Sequence, residues 1–247
     1  MDDIHKIERL AAASWPSYIQ KSMGQWLLRA NFGVTKRANS VWTSAEMPEG
    51  DFRQEAEYFY KSLGLPVCFH ISNASPKGLD AALADSGFEK ADECFQMTAL
   101  CRDIMNHTEE NSRFTYKWEH EPSSVWIDEF IRLEGFSPER HQGYINIFKR
   151  MPPCKTFITM YDQGSLTALG TVSVIDGYGG LSNIVVAEEH RGKGAGTQVI
   201  RVLTEWAINN GAERMFLQVM KENLAAVSLY EKIGFSPISE HHYRIKR

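Results

Sequence analysis

The 247-residue chain is 43% hydrophobic and 23% charged, the balance of a globular fold with room for one large domain or two ordinary ones. A formal net charge of −4 supplies no overall positive field for nucleic acid, and no apolar run reaches the roughly 18 residues of a membrane span. MDDIHKIERL lacks the apolar core of a signal peptide, so the expected setting is cytoplasmic, with no nucleic-acid or membrane partner.

DIHKIERLAAASW spaces Ile4, Ile7, Leu10 and Ala11 on one helical face. QWLLRANFGVTKRANSVWTSAE reads as two strands around Gly33, and DFRQEAEYFYKSLG as a helix ended by Gly64. PVCFHI is a short strand, SPKGLDAALADSGF a helix stopped by Gly87, and ECFQMTALC a further strand. The polar stretch Arg102 to Arg113 follows, and a linker is expected inside it, at 106–113. Cys68, Cys94, Cys101 and Cys154 form no CxxC pair. They point to a reducing compartment, with neither zinc nor a disulfide frame.

The second half starts again with SSVWIDEFIRLEGF, a serine-capped helix with Gly135 after it, and ERHQGYINIFKRM, a helix ended by Pro152 and Pro153. Three strands are expected from Cys154 to Val186, separated by DQG and DGYGG. GTQVIRVLTEWAINNG is an amphipathic helix, ERMFLQVM a strand, NLAAVSLYEKIGF a helix, and HHYRIKR a closing strand. LDAALADSGF and AVSLYEKIGF are both helices ending in Gly-Phe. Each follows a short strand and precedes one at the end of its half, which marks the halves as weak repeats.

HRGKGAGTQ, His190 to Gln198, has no counterpart in the first half. A strand, a glycine-rich turn and a helix N-terminus together make an anion site. First-turn N–H groups are unpaired, the helix dipole adds partial positive charge, and glycines let a phosphate approach. Arg191 and Lys193 add charge. Walker A fails because Ala195, not a Gly-Lys pair, follows Gly194, and GxGxxG fails at Thr197. The acyl-coenzyme A pattern [RQ]-x-x-G-x-[GA] is met by Arg191 to Gly196.

With ENLAAVSLYEKIGF following at matching spacing, the second half, from about Phe114, resembles the GNAT superfamily of acyl-CoA-dependent N-acetyltransferases. Its N-x-x-A-x-x-x-Y-x-K-x-G-F pattern falls on Asn223, Ala226, Tyr230, Lys232, Gly234 and Phe235. The first half resembles a degenerate GNAT-like domain. The resemblance implies an α/β (α+β) tandem-GNAT chain with two mixed, mostly antiparallel sheets flanked by helices. The divisions are 1–105 for the degenerate domain, 106–113 for the linker and 114–247 for the catalytic domain.

The resemblance further implies that Arg191, Gly192, Lys193, Gly194, Ala195, Gly196 and Thr197 hold the coenzyme pyrophosphate, mostly by backbone N–H groups. Ile184, Val185 and Val186 would lie on a splayed strand that pairs with the pantetheine arm and polarises the thioester carbonyl. Asn223 would bond the arm or cap the next helix, and Tyr230 would give a proton to the leaving thiolate or simply pack. No motif fixes the general base. Glu134, Asp128, Glu129, Asp176 and His141 qualify by type, although each reads more readily as a solvated surface residue and a water chain is an alternative, and of His241 and His242 at most one is expected to face the site, since strand side chains alternate. The first-half aromatics Trp15, Trp26, Trp42, Tyr58, Phe59 and Tyr60 are candidates to line an acceptor pocket, with core the favoured reading, and KRANS, Lys36 to Ser40, reads as a solvated hairpin.

The expected function is transfer of an acetyl group from acetyl-CoA, without a metal, to a primary amine on a small molecule or peptide, by direct attack in a ternary complex. The protein would be a monomer or homodimer. The alternative from another class is a non-catalytic acyl-CoA-binding sensor or scaffold module.

Overall fold

The structure, a computed structural model, describes residues 2–246. The first half runs α1 (Asp2–Ser14), β1 (Ile19–Met23), β2 (Trp26–Ala30), β3 (Val41–Trp42), α2 (Phe52–Ser62), β4 (Val67–Ser72), α3 (Leu79–Asp85), β5 (Glu89–Leu100) and α4 (Cys101–Asn106). The second runs β6 (Phe114–Glu119), α5 (Ser124–Leu133), α6 (His141–Arg150), β7 (Lys155–Asp162), β8 (Ser165–Ile175), β9 (Tyr178–Val186), α7 (Ala195–Asn209), β10 (Arg214–Met220), α8 (Leu224–Lys232) and β11 (Ser236–Lys246). Helix starts are closed by side chains: Asp51 accepts from the N–H groups of Arg53 and Gln54, both at 3.1 Å, and Ser123 accepts from Trp126 at 3.3 Å.

All eleven strands form one mixed, mostly antiparallel sheet in the order β1-β2-β3-β4-β11-β5-β10-β9-β8-β7-β6. Only β3–β4 and β9–β10 are parallel. The halves exchange their last strands. β5, which ends the first half, pairs with β10 of the second, and β11, which ends the second, lies between β4 and β5. Each half therefore completes the other's sheet, and the sheet is continuous across residues 106–113.

Several elements differ from the expectation. β1 and β6 are additional strands, both at sheet edges. Edge strands bury one face weakly, and the burial of β1 is confined mainly to Met23. Around Gly33 the chain does not form two long strands. β2 stops at Ala30, β3 has two residues, and a braced loop joins them. Within Arg102–Arg113 the chain begins as helix α4, because Cys101 and Ile104, one turn apart, bury into the core that also receives Val199 and Leu203 of α7.

The braced loop, residues 31–39, is held by one side chain. Asn39 Oδ1 accepts from the N–H groups of Asn31 (2.7 Å) and Gly33 (3.0 Å), and its Nδ2 donates to the carbonyls of Val34 and Thr35, both at 2.7 Å. The loop then docks on the second half: Asn31 Nδ2 donates to the Gly143 carbonyl at 3.0 Å. Val34 and Ala38 share a core with Trp126, Phe130, Tyr144 and Phe148. A Cβ at position 143 would lie 2.3 Å from Val34 Cγ2, so α6 carries a glycine where the loop presses on it.

Candidate active site

β9 and β10 begin paired and then part. Their register runs Arg214↔Tyr178, Met215↔Gly179 and Phe216↔Gly180 and goes no further. From Leu181 to Val186, β9 has no strand partner on that side. On its other side the register with β8 slips between Leu169 and Thr171, and Asn183 sits at φ 54°. This bulge bends β9 and sharpens its departure from β10. The opening is a cavity of about 260 Å³. Leu181 to Ile184 form one side of it and Leu217 to Met220 the other.

α7 starts shortly after the end of β9, on the side where β9 has parted from β10. Gly192 and Gly194 have φ of 72° and 84°, in the left-handed region that side chains disfavour. Gln198 N–H bonds to the Gly194 carbonyl at 3.0 Å, so the amides of Ala195, Gly196 and Thr197 precede the first such bond and project from the helix end. Arg191 is exposed and its Nε donates to the Val186 carbonyl at 3.2 Å, tying the loop to the end of β9. Lys193 is exposed beside it. The splay and the ring of amides make a slot for an extended chain with an anionic end. The residues therefore fit a coenzyme A thioester.

α8 covers the cavity with Asn223, Ala226 and Tyr230, three residues on one helical face. Asn223 Oδ1 accepts from Ala226 N–H at 3.2 Å, so it caps the helix while also bordering the cavity. Tyr230 is 8% exposed, and burial, with a smaller effect of the Glu134 charge, pushes its phenol up to about 12. Ile184 lines the cavity, Val185 turns to the core of α5 and α6, and Val186 packs towards the core of α7.

Of the carboxylates named from the sequence, Glu134 lies at the mouth of the cavity. Its side chain reaches solvent, yet the surrounding walls raise its pKa above the ordinary glutamate value, and Arg191 opposes the rise. The other candidates are engaged elsewhere. Asp128 bonds His141 at 2.6 Å, Glu129 pairs with Arg132, and Asp176 is in the turn between β8 and β9. Neither terminal histidine borders the cavity. Burial pushes His241 down to about 3, and His242 bonds Asp80 at 2.8 Å.

The first half also reaches this cavity. Trp15, Thr35 and Arg37 form part of its wall. The expectation of a solvated KRANS hairpin is therefore wrong. Lys36 pairs with Asp92 at 2.6 Å, Ala38 is fully buried, and Arg37 lies 4.4 Å from the ring centre of Trp15. The adjacent Lys36 and Arg37 followed by Ala-Asn-Ser carry no periodic signal. Docking onto α6 decides their place, and that contact is invisible to local pattern.

A family model described as "Probable histone acetyltransferase Rv0428c C-terminal" matches residues 1–246. A Bacillus subtilis (strain 168) protein described as "Uncharacterized N-acetyltransferase YobR" is 87% identical over 247 residues, the whole of both chains. This chain belongs to the GNAT family of N-acetyltransferases. Its fold agrees. A GCN5-related N-acetyltransferase from Kribbella flavida superposes with TM-score 0.73 at 13% identity, over 97% of this chain and 95% of that one. A tandem GNAT protein of the clavulanic acid biosynthesis pathway gives 0.65 at 12% identity, over 84% and 74%. The GNAT enzyme described here is thus an acyltransferase in which one sheet spans both halves.

Proposed function

We propose that this enzyme transfers the acetyl group of acetyl-CoA to a primary amine held in the cavity between β9 and β10. The observation that carries this reading is the parting of those strands beyond Gly180 and Phe216, directly before the glycine turn of α7. The backbone of Gly192 to Thr197, with Arg191 and Lys193 beside it, would hold the pyrophosphate. Ile184, Val185 and Val186 would offer their free backbone edge to the pantetheine arm, and Asn223 would border it. Acetyl-CoA supplies an acyl group activated as a thioester. The second half, 114–247, carries this machinery, and the first half, 1–105, lends a wall.

The chain's own residues then move protons. Glu134, its carboxylate pKa raised, accepts a proton from the incoming ammonium, which frees the lone pair. A backbone N–H of β9 stabilises negative charge building on the thioester oxygen; comparable donors are worth about 3–4 kcal/mol elsewhere. The N–C bond forms, the nitrogen gives up its second proton to solvent, the C–S bond breaks, and sulfur leaves with the electron pair. Tyr230, with a pKa of about 12, is in its acid form before every turnover. A phenol this weak lies about 3–4 units above an ordinary thiol, so full transfer to sulfur would cost roughly 5 kcal/mol. Tyr230 therefore stabilises the leaving sulfur chiefly by donating a hydrogen bond, and the thiolate takes its proton from solvent.

The test is thiol release on mixing the protein with acetyl-CoA and a panel of primary amines. Release that requires both an amine and the protein supports the reading. Release independent of any amine contradicts it.

A further inference from the structure

The cavity holds one positive and one negative side chain with different standing. Glu134 sits at the mouth, open to solvent. Arg37 is the only Lys, Arg or His among the described lining residues, and it has neither a hydrogen bond nor an ion pair among the described residues. Its guanidinium carbon lies over the Trp15 ring, 4.4 Å from the centre.

Nearby groups do not neutralise it. Arg29, buried behind it, donates to the carbonyls of Ala12 (3.3 Å) and Trp15 and adds a second positive charge. Glu8 borders a small void with both arginines but is bonded to Ser44, Ser72 and Ser239. Burial lowers the Arg37 pKa below the ordinary arginine value, with only tyrosine and cysteine side chains opposing this and no carboxylate. Arg37 is half-buried in the cavity wall, and a partly desolvated cation there gains from a paired anion.

The backbone that holds Arg37 is also unusual. Thr35 has φ 60°, a region that a β-branched residue enters only under constraint. Asn39 and the contact of Val34 with Gly143 impose the constraint. The loop is thus fixed so that an unpaired guanidinium borders the cavity. Tyr144 lines the same cavity as Glu134 and Arg37, so opposite charges border one small space.

We propose that the acceptor amine carries a carboxylate, and that Arg37, supplied by the first half, binds it while Glu134 receives the ammonium. This rests on the cavity being the acceptor site of acetyl transfer. A single cation matches a monoanion better than a phosphate, and the guanidinium fork fits a carboxylate.

The experiment measures kcat/KM by thiol release for the common amino acids, their primary amides, simple polyamines and a lysine-rich histone-tail peptide. The proteins are the full-length wild type, Arg37→Gln and Arg37→Lys. Losing one partner of a partly desolvated, hydrogen-bonded charge pair costs about 2 kcal/mol, so at least one amino acid should exceed its amide by about 30-fold in the wild type. That ratio should fall to within about threefold in Arg37→Gln and keep an intermediate value in Arg37→Lys. A ratio within one preparation is unaffected by partial misfolding. The inference is overturned if amides, polyamines or the peptide are preferred, if the ratio survives in Arg37→Gln, or if no amino acid is acetylated although acetyl-CoA binds. A parallel arm with succinyl-CoA separates the other source of a carboxylate: Arg37 dependence appearing only with that donor would place the anion on the acyl chain and overturn the acceptor assignment. Absence of acetyl-CoA binding in the wild type would instead overturn the transfer reading itself.

Discussion

Gly180 and Phe216 are the last paired residues of β9 and β10, and a Cβ on Gly180 would stand 2.6 Å from Phe216 Cζ. The ring cannot simply swing aside. Phe216 is 3% exposed and packs with Ile7, Leu10 and Ala11 of α1. The point at which the strands part is thus set by a glycine under an aromatic ring. Gly180→Ala should cost about 1–3 kcal/mol by overpacking, read as a lower midpoint in urea. An unchanged midpoint would mean that the ring relaxes freely.

Gly143→Ala offers a second test of close packing. A helix interior gains up to about 1 kcal/mol from alanine over glycine, but the added methyl meets Val34 at 2.3 Å. Overpacking should win, and the strain should fall on the loop that carries Arg37. We expect kcat/KM for the acceptor to drop more than tenfold while acetyl-CoA affinity changes little. Equal losses in both would assign the loop a merely structural role.

Tyr230→Phe should lower kcat by roughly 10- to 100-fold, the worth of one hydrogen bond to a charged group, with acetyl-CoA affinity preserved. The wild-type rate should show no alkaline loss assignable to Tyr230 below about pH 10, because its phenol is pushed up to about 12. Turnover that survives in the phenylalanine variant would remove Tyr230 from the mechanism.

Glu8 carries a pH-dependent part of the stability. It is 4% exposed, and burial pushes its pKa up to about 7, with bonds from Ser72 and Ser239 opposing. The folded state holds this proton where the unfolded chain, with a pKa near 4.5, has lost it. The group is neutral in both states below about pH 4.5, and its penalty grows between about pH 4.5 and 7. By pH 8 it has removed about 3 kcal/mol. Glu8→Gln should therefore flatten the stability curve over this window and raise the melting temperature at pH 8. A variant whose curve stays parallel to the wild type would show that Glu8 does not titrate there.

The elements proposed to bind the donor were locatable in the sequence because their pattern is local. A glycine turn at the start of a helix, and an asparagine and a tyrosine seven residues apart on the next, declare themselves in short windows. The amphipathic helices α1, α5 and α7 were equally open, since one face of each is apolar. What local pattern could not carry was contact across the halves. Arg37 reads as a surface residue until Val34 meets Gly143, some hundred positions later. Glu8 reads as one more polar residue of α1 until strands β4 and β11 bring Ser72 and Ser239 to it. The exchange of β5 and β11 has the same origin: an extended strand pairs equally well with either half, and only the assembled sheet determines which edge it takes.

The most direct test of the central claim is calorimetric titration of acetyl-CoA into the wild type and into Gly194→Trp, with a melting curve for each. Gly194 has open space around its Cβ position but φ 84°, so tryptophan there both fills the slot and disturbs the amide ring while leaving the core untouched. The account predicts micromolar binding by the wild type, lost in the variant, with both proteins folded. Absence of binding in the wild type, or equal binding in both, would contradict it.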